Sequence, residues 1–345
     1  MNEKRIILRD IAREAGVHHS TVSRALRNDR RVKGATIVKI QALARKLGYV
    51  PDPMLGSLAI YRAAKVNPGY QSTLAWITNH FTRDGWRENF YHYFQGASEQ
   101  ANKLGYCLEE FWLREPGLTQ KRASQILRAR GISGLIIAPQ PRAKMRIRLN
   151  WEDFSAVAMG YTLAWPPLHI VTNHQFHSTL TTVRRVRAHG YRRVGLVIDH
   201  LHDSRIDHGW TGGFLAMQQY WPSKERIPIF SCAKFTPARL NAWIRRYRPD
   251  VIVGHGWLVK VVEKLGYRIP EEIGMASLGL DSNQKGQVYS GVDEHPRISG
   301  VQAVDLLVGM IRRGERGFPE VPQRVLTQSS WIEGKTLVFH NRKGS

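Results

Sequence analysis

The chain of 345 residues, 42% hydrophobic and 10% aromatic, has material for roughly two to three domains with buried cores, which excludes a disordered basic tail. Its 51 Lys+Arg against 28 Asp+Glu give a formal charge of +23 and a pI near 10.4, an excess that calls for a polyanionic partner. No apolar run approaches the roughly 20 residues that span a bilayer, Met1-Asn-Glu-Lys-Arg5 leads into a charged amphipathic segment, and Cys107 and Cys232 form neither a CxxC motif nor a disulfide framework. The expectation is a cytoplasmic protein with no membrane contact and no cofactor.

Residues 1–66 are the most densely basic part, with 14 Lys+Arg against 5 Asp+Glu. Within them Leu8, Ile11, Ala12 and Ala15 recur at helical spacing, Gly16 interrupts, and Val22, Ala25 and Leu26 resume the apolar period. The pattern predicts helix, tight turn, helix. Ile37, Ile40, Leu43, Ala44 and Leu47 give a third amphipathic helix, closed by Gly48 where a left-handed residue suits glycine. In such a unit the second helix lies in the major groove, so its outward face must hydrogen-bond to bases and phosphates. His19, Ser20, Thr21, Ser23 and Arg24 fill that face.

The segments Leu8-Arg-Asp-Ile-Ala-Arg-Glu-Ala-Gly16-Val17, Thr21-Val-Ser-Arg-Ala-Leu26 and Leu47-Gly-Tyr-Val-Pro51 together resemble the headpiece of the lactose-repressor (LacI/GalR) family, in order and at its spacing. The resemblance implies that His19, Ser20 and Arg24 read bases, while Thr21, Ser23 and Asn28 mainly touch phosphates. His18 stands where the family usually has an N-capping serine, and imidazole caps less well than a hydroxyl. After Pro51 the family carries a short hinge helix that wedges a leucine into the minor groove. Counting places that leucine at Leu58, although Leu58 is also compatible with packing in a linker, and Gly56 costs the hinge roughly 1 kcal/mol of helix propensity. The expected organisation is a headpiece over 1–50, a hinge over 51–66 and a core over 67–345.

From Thr73 onward apolar strand-like runs alternate with amphipathic stretches: Leu74–Ile77, Gly134–Ala138, Val194–Ile198, Val251–Val253 and Met275–Leu278. Such alternation predicts α/β units with parallel sheets, whose ligands bind beyond the carboxyl ends of the strands. The family's core is a two-lobed, periplasmic-binding-protein-like domain with a cleft. Gly190-Tyr-Arg-Arg-Val-Gly195, Ile269-Pro-Glu-Glu-Ile273, Gly279-Leu-Asp281 and Trp331-Ile-Glu-Gly334 resemble its later segments.

The departures fall at ligand positions. Trp210 stands where sugar-binding members carry an arginine, Gly256-Trp257 replaces Asn-Asp, and His174-Gln175 replaces Asp-Asn, leaving Asp281 as the retained polar group. Trp86, Phe90, Trp210 and Trp257 are positioned by the resemblance to line the cleft beside His174 and Asp281, although each ring taken singly suits ordinary packing better than ligand contact. His200, His202, Asp203, Asp207 and His208 match no standard metal spacing. Gly334-Lys-Thr336 looks like the end of a phosphate loop but has Ser329 where the first glycine belongs. No nucleophile elbow or His-Glu-x-x-His motif marks an enzyme. The expectation is a homodimeric DNA-binding regulator, by resemblance a repressor, that reads a pseudo-palindromic double-stranded operator and answers to a sugar-like effector. The alternatives are an effectorless DNA-binding protein and a small-molecule sensor with a vestigial headpiece.

Overall fold

The computed structural model describes residues 6–26, 31–49, 72–232, 235–280 and 289–340. The headpiece consists of α1 (Leu8–Ala15), α2 (His19–Leu26) and α3 (Gly34–Lys46). The Asp10 carboxylate accepts the Ile7 N–H at 3.0 Å and starts α1. Gly16, at φ 66°, ends it, and the Val17 N–H returns to the Ala12 carbonyl at 3.0 Å. This glycine-dependent closure is the tight turn that sets α2 against α1. Gly48, at φ 68°, closes α3 as expected, with the Tyr49 N–H on the Ala44 carbonyl at 2.9 Å. Ile11, Ala12, Val22, Ala25, Ile40 and Ala44 form the shared core, and the alanines let the helices approach closely. The expected hinge, with Gly56 and Leu58, lies outside the described residues.

The core has two six-stranded sheets. In the first lobe the spatial order is Arg324–Thr327, His169–Asn173, Ser155–Met159, Gly134–Ile137, Ser72–Thr78 and Tyr106–Trp112, all parallel. In the second it is Ser330–Ile332, Ser290–Asp293, Gly274–Ser277, Val251–Gly254, Val194–Asp199 and Phe230–Cys232, parallel except for the first pair. Parallel strands covered by helices on both faces must be apolar on both. Leu74, Ala75, Trp76 and Ile77 are accordingly all fully buried.

The chain passes between lobes at 173–175, 293–296 and 327–330. The helix Pro296–Arg313 then crosses the helix Arg87–Lys103 at two glycines: a Cβ on Gly96 would fall 2.0 Å from the Arg297 carbonyl oxygen, and one on Gly300 would fall 2.0 Å from that of Tyr93. This contact fixes the second crossing against the helix that carries Phe90. The segment suggestive of a phosphate loop is a strap on the second lobe: the Thr336 hydroxyl donates to the Met275 carbonyl (2.7 Å) and accepts the Ser290 N–H (2.9 Å). Among the described residues no helix is long and apolar enough to cross a membrane.

Candidate functional site

Helix α2 buries Val22 and Ala25 and leaves His19 and Arg24 exposed, with Ser20, Thr21 and Ser23 half-buried beside them. Five polar side chains therefore share one short helix whose opposite side is anchored in the headpiece core. Among the described residues no carboxylate pairs with the Arg24 guanidinium. His18 takes the capping position with a long bond: its Nδ1 accepts the Ser20 N–H at 3.4 Å and lies 2.9 Å from the Ser20 hydroxyl. The His18 and His19 rings are 4.1 Å apart. Asn28 lies outside the described residues.

The second candidate site is the cleft where the carboxyl ends of the two sheets face each other. On the first lobe, His80 follows strand Ser72–Thr78, and its Nε2–H donates to the Pro139 carbonyl at 3.0 Å. Burial, helped by the nearby Arg205 and Arg114 guanidinium groups, lowers its pKa and holds it neutral. On the second lobe, His202 lies flat on Trp210, 5.0 Å between centroids and 4° between planes, and His255 stands edge-on to both. Burial pushes His202 down to about 4 and His255 to about 3, so both are neutral imidazoles near neutral pH.

The structure sorts the sequence-predicted cleft residues. Trp210 is 3% exposed and forms the floor of the three-ring stack, its Nε1 without a hydrogen-bond partner among the described residues. Phe90 is half-buried, 6.0 Å from the His80 ring and beneath the Arg205 guanidinium at 5.7 Å. Trp257 is 46% exposed and meets Phe235 edge-on. His174, at the first crossing, stacks on His177 at 5.5 Å. Trp86 is a correction to the expectation: it is fully buried in the first lobe's core between Trp76 and Phe94, because it opens the helix with its ring turned onto the sheet. Asp281 lies outside the described residues.

The histidine and aspartate loop is occupied by local bonds. Asp199 caps the helix His200–Arg205 by accepting the Leu201 N–H at 2.7 Å, and buried Asp203 pairs with His208 at 3.0 Å. Among the described residues no group of three His, Cys, Asp or Glu side chains is placed to hold a metal.

Sequence reasoning passed over the groups that tie the lobes together. Asn173 accepts the Tyr93 hydroxyl at 2.5 Å and donates to the Glu294 carbonyl and, at 3.4 Å, to Ser299 Oγ. The Ser299 and Thr327 hydroxyls are 2.8 Å apart. All three crossings thus meet in one polar knot. Beside it the Glu294 Oε1 is buried and lacks a partner among the described residues, and desolvation together with Asp293 pushes the carboxyl pKa up to about 8. The one local signal is that Asn173 and Thr327 end their strands and Glu294 directly follows one.

A three-helix headpiece joined to a two-lobed parallel-sheet core defines a helix-turn-helix DNA-binding transcription regulator. Residues 7–52 match the signature described as "Bacterial regulatory proteins, lacI family", and the chain as a whole is similar to transcription regulators. It is 29% identical over 341 residues to the HTH-type transcriptional regulator GntR of Escherichia coli (strain K12), covering 93% of this chain and 96% of that one. It is 26% identical over 241 residues to the ribose operon repressor of the same strain, covering 61% of this chain and 69% of the relative. A solved lac repressor dimer, bound to operator and the anti-inducer ONPF, superposes with a TM-score of 0.54 at 18% identity over 97% of this chain and all of that one.

Proposed function

We propose that the protein is a homodimeric transcription repressor of the cytoplasm, without enzymatic activity, that binds a pseudo-palindromic operator and responds to a small sugar-like effector in the interlobe cleft. Two headpieces related by a two-fold axis read two half-sites. In each, His19, Ser20 and Arg24 reach base edges, with the Arg24 fork suited to a guanine. Thr21, Ser23 and Asn28 hold phosphates, Leu58 is the minor-groove wedge, and the domains follow the 1–50, 51–66 and 67–345 division. The observation that carries this reading is α2 itself, with a polar outward face above buried Val22 and Ala25. The named relatives, a ribose operon repressor among them, support the repressor and sugar assignments.

The effector acts by differential affinity for two arrangements of the lobes. Three crossings knotted at Asn173, Ser299 and Thr327 give a hinge about which the cleft closes, and closure alters headpiece spacing. The test is selection of bound sequences from random DNA by full-length protein at about 0.15 M salt, where counterion-driven background is suppressed. An enriched palindrome with a central pyrimidine–purine step is expected. A bound pool with no sequence preference overturns the reading.

A further inference from the structure

Arg205 ends the helix His200–Arg205 on the second lobe and reaches across the cleft. Its Nη2 donates to the Gln140 carbonyl at 3.0 Å, and its guanidinium lies over the Phe90 ring at 5.7 Å. A guanidinium has five N–H donors. Among the described residues, the Gln140 carbonyl is its hydrogen-bond acceptor and no carboxylate pairs with it.

Among the described residues the groups around it supply no counter-charge. On its own side, Asp199 is spent on the Leu201 and His202 N–H groups, and Asp203 on His208 and the Thr211 N–H. Across the cleft it faces His80, Phe90 and Gln140. Arg114 adds a second cation, its Nε donating to the Asn79 carbonyl (3.0 Å) and side-chain oxygen (3.1 Å). His80 and His202 are neutral, each held so chiefly by burial and further by the Arg205 charge.

A half-buried guanidinium with no carboxylate partner among the described residues is costly, and its planar fork matches a carboxylate or phosphate. We infer that Arg205 is a specificity residue of the cleft and that the effector bears an acidic group, carboxylate or phosphate, which takes the free edge of this guanidinium. The inference rests on the reading that the cleft binds an effector. It sets Arg205, five residues before the family's arginine position at Trp210, as the polar anchor of this cleft. Because Arg205 stands on one lobe and its acceptor on the other, an anion seated there touches both walls and favours their apposition.

The test is calorimetric titration of full-length protein with an aldonate, a uronate and a hexose 6-phosphate, each beside its neutral parent sugar. At least one acid is expected to bind ten-fold or more tightly than its parent, and the carboxylate and phosphate arms identify the acid. Arg205→Gln is expected to lose that preference, and Arg205→Lys, which keeps charge without the fork, to recover part of it. Thermal melts establish that both variants are folded. A neutral parent that binds as well as its acid, or an acid that binds Arg205→Gln as it binds the natural chain, overturns the inference and leaves the effector reading standing. Silence across acids and neutral sugars alike overturns both.

Discussion

The recognition helix and the cleft use polar side chains in opposite ways. In α2 the polar groups face outward over a buried ridge of Val22 and Ala25, so the helix is complete before any partner arrives. In the cleft, His202, Trp210 and His255 are packed against one another, and Arg205 is held by the opposite lobe. One surface is preformed and waits for a polyanion; the other is closed on itself and must be opened or re-paired by what binds. The headpiece supplies affinity and sequence reading, while the cleft supplies a difference between two states, which is what regulation requires.

The contrast breaks most severely through the headpiece core. Ile11 is fully buried among three short helices that have little other apolar material. Ile11→Ala is expected to cost about 2–5 kcal/mol, enough to unfold so small a unit. In calorimetry of the full chain, the headpiece transition is expected to vanish while the core transition stays. Binding to selected and random DNA should fall together, and an unchanged operator affinity would show that the headpiece core lies elsewhere.

The core's own weak point is Glu294. Its folded-state pKa of about 8, raised from 4.5 by burial and by Asp293, means that the native chain keeps a proton that the unfolded chain sheds across this window. Stability of the core is therefore expected to fall as pH rises from about 4.5 to about 8, on the order of a few kcal/mol in all. Glu294→Gln removes that dependence. Melts near pH 4.5 should coincide for the two proteins, and melts near pH 8 should favour the variant; equal melts at both ends would mean that the carboxyl is solvated.

The same division explains what could be read from the sequence. Helix period, the left-handed glycines at 16 and 48 and the outward face of α2 are local properties, and the spacing carries them. Strands buried on both faces, such as Leu74–Ile77, are legible for the same reason. The edge strand Tyr106–Trp112 is harder to read because it carries Glu109 and Glu110, which pair with Arg130 and Arg87. The cleft was legible as a place but not as an arrangement. Trp210 is buried in the second lobe's core, covered by His202 and His255, which come from the segments after two different strands. Trp86 was misplaced because family position says nothing about which way the first residue of a helix turns its ring. Arg205, Asn173 and Glu294 acquire their roles only when the two lobes are brought together.

Within the headpiece, reading and folding can be separated. Arg24 is exposed and is not one of the buried core residues that hold α2 in place. Arg24→Ala is expected to lower affinity for the selected palindrome by about 1–3 kcal/mol while leaving affinity for random DNA nearly unchanged, measured by fluorescence anisotropy at one salt concentration. An equal loss on both DNAs would assign Arg24 to phosphate rather than base.

The smallest expected effect asks the most pointed question, because His18 and Ser20 are bonded to each other at the start of the reading helix. The 3.4 Å bond from the Ser20 N–H to the His18 ring is a poor cap, and a serine hydroxyl at this position makes a shorter one. His18→Ser is expected to stabilise the headpiece by about 0.5–1 kcal/mol, seen as a higher headpiece transition. If His18 is a cap and nothing more, the ratio of palindrome to random-DNA affinity stays where it was. A changed ratio would mean that the imidazole positions the Ser20 hydroxyl for its base, 2.9 Å away from it in the free protein. The headpiece would then share the property that distinguishes the cleft: a polar group held by a neighbour until its ligand takes it.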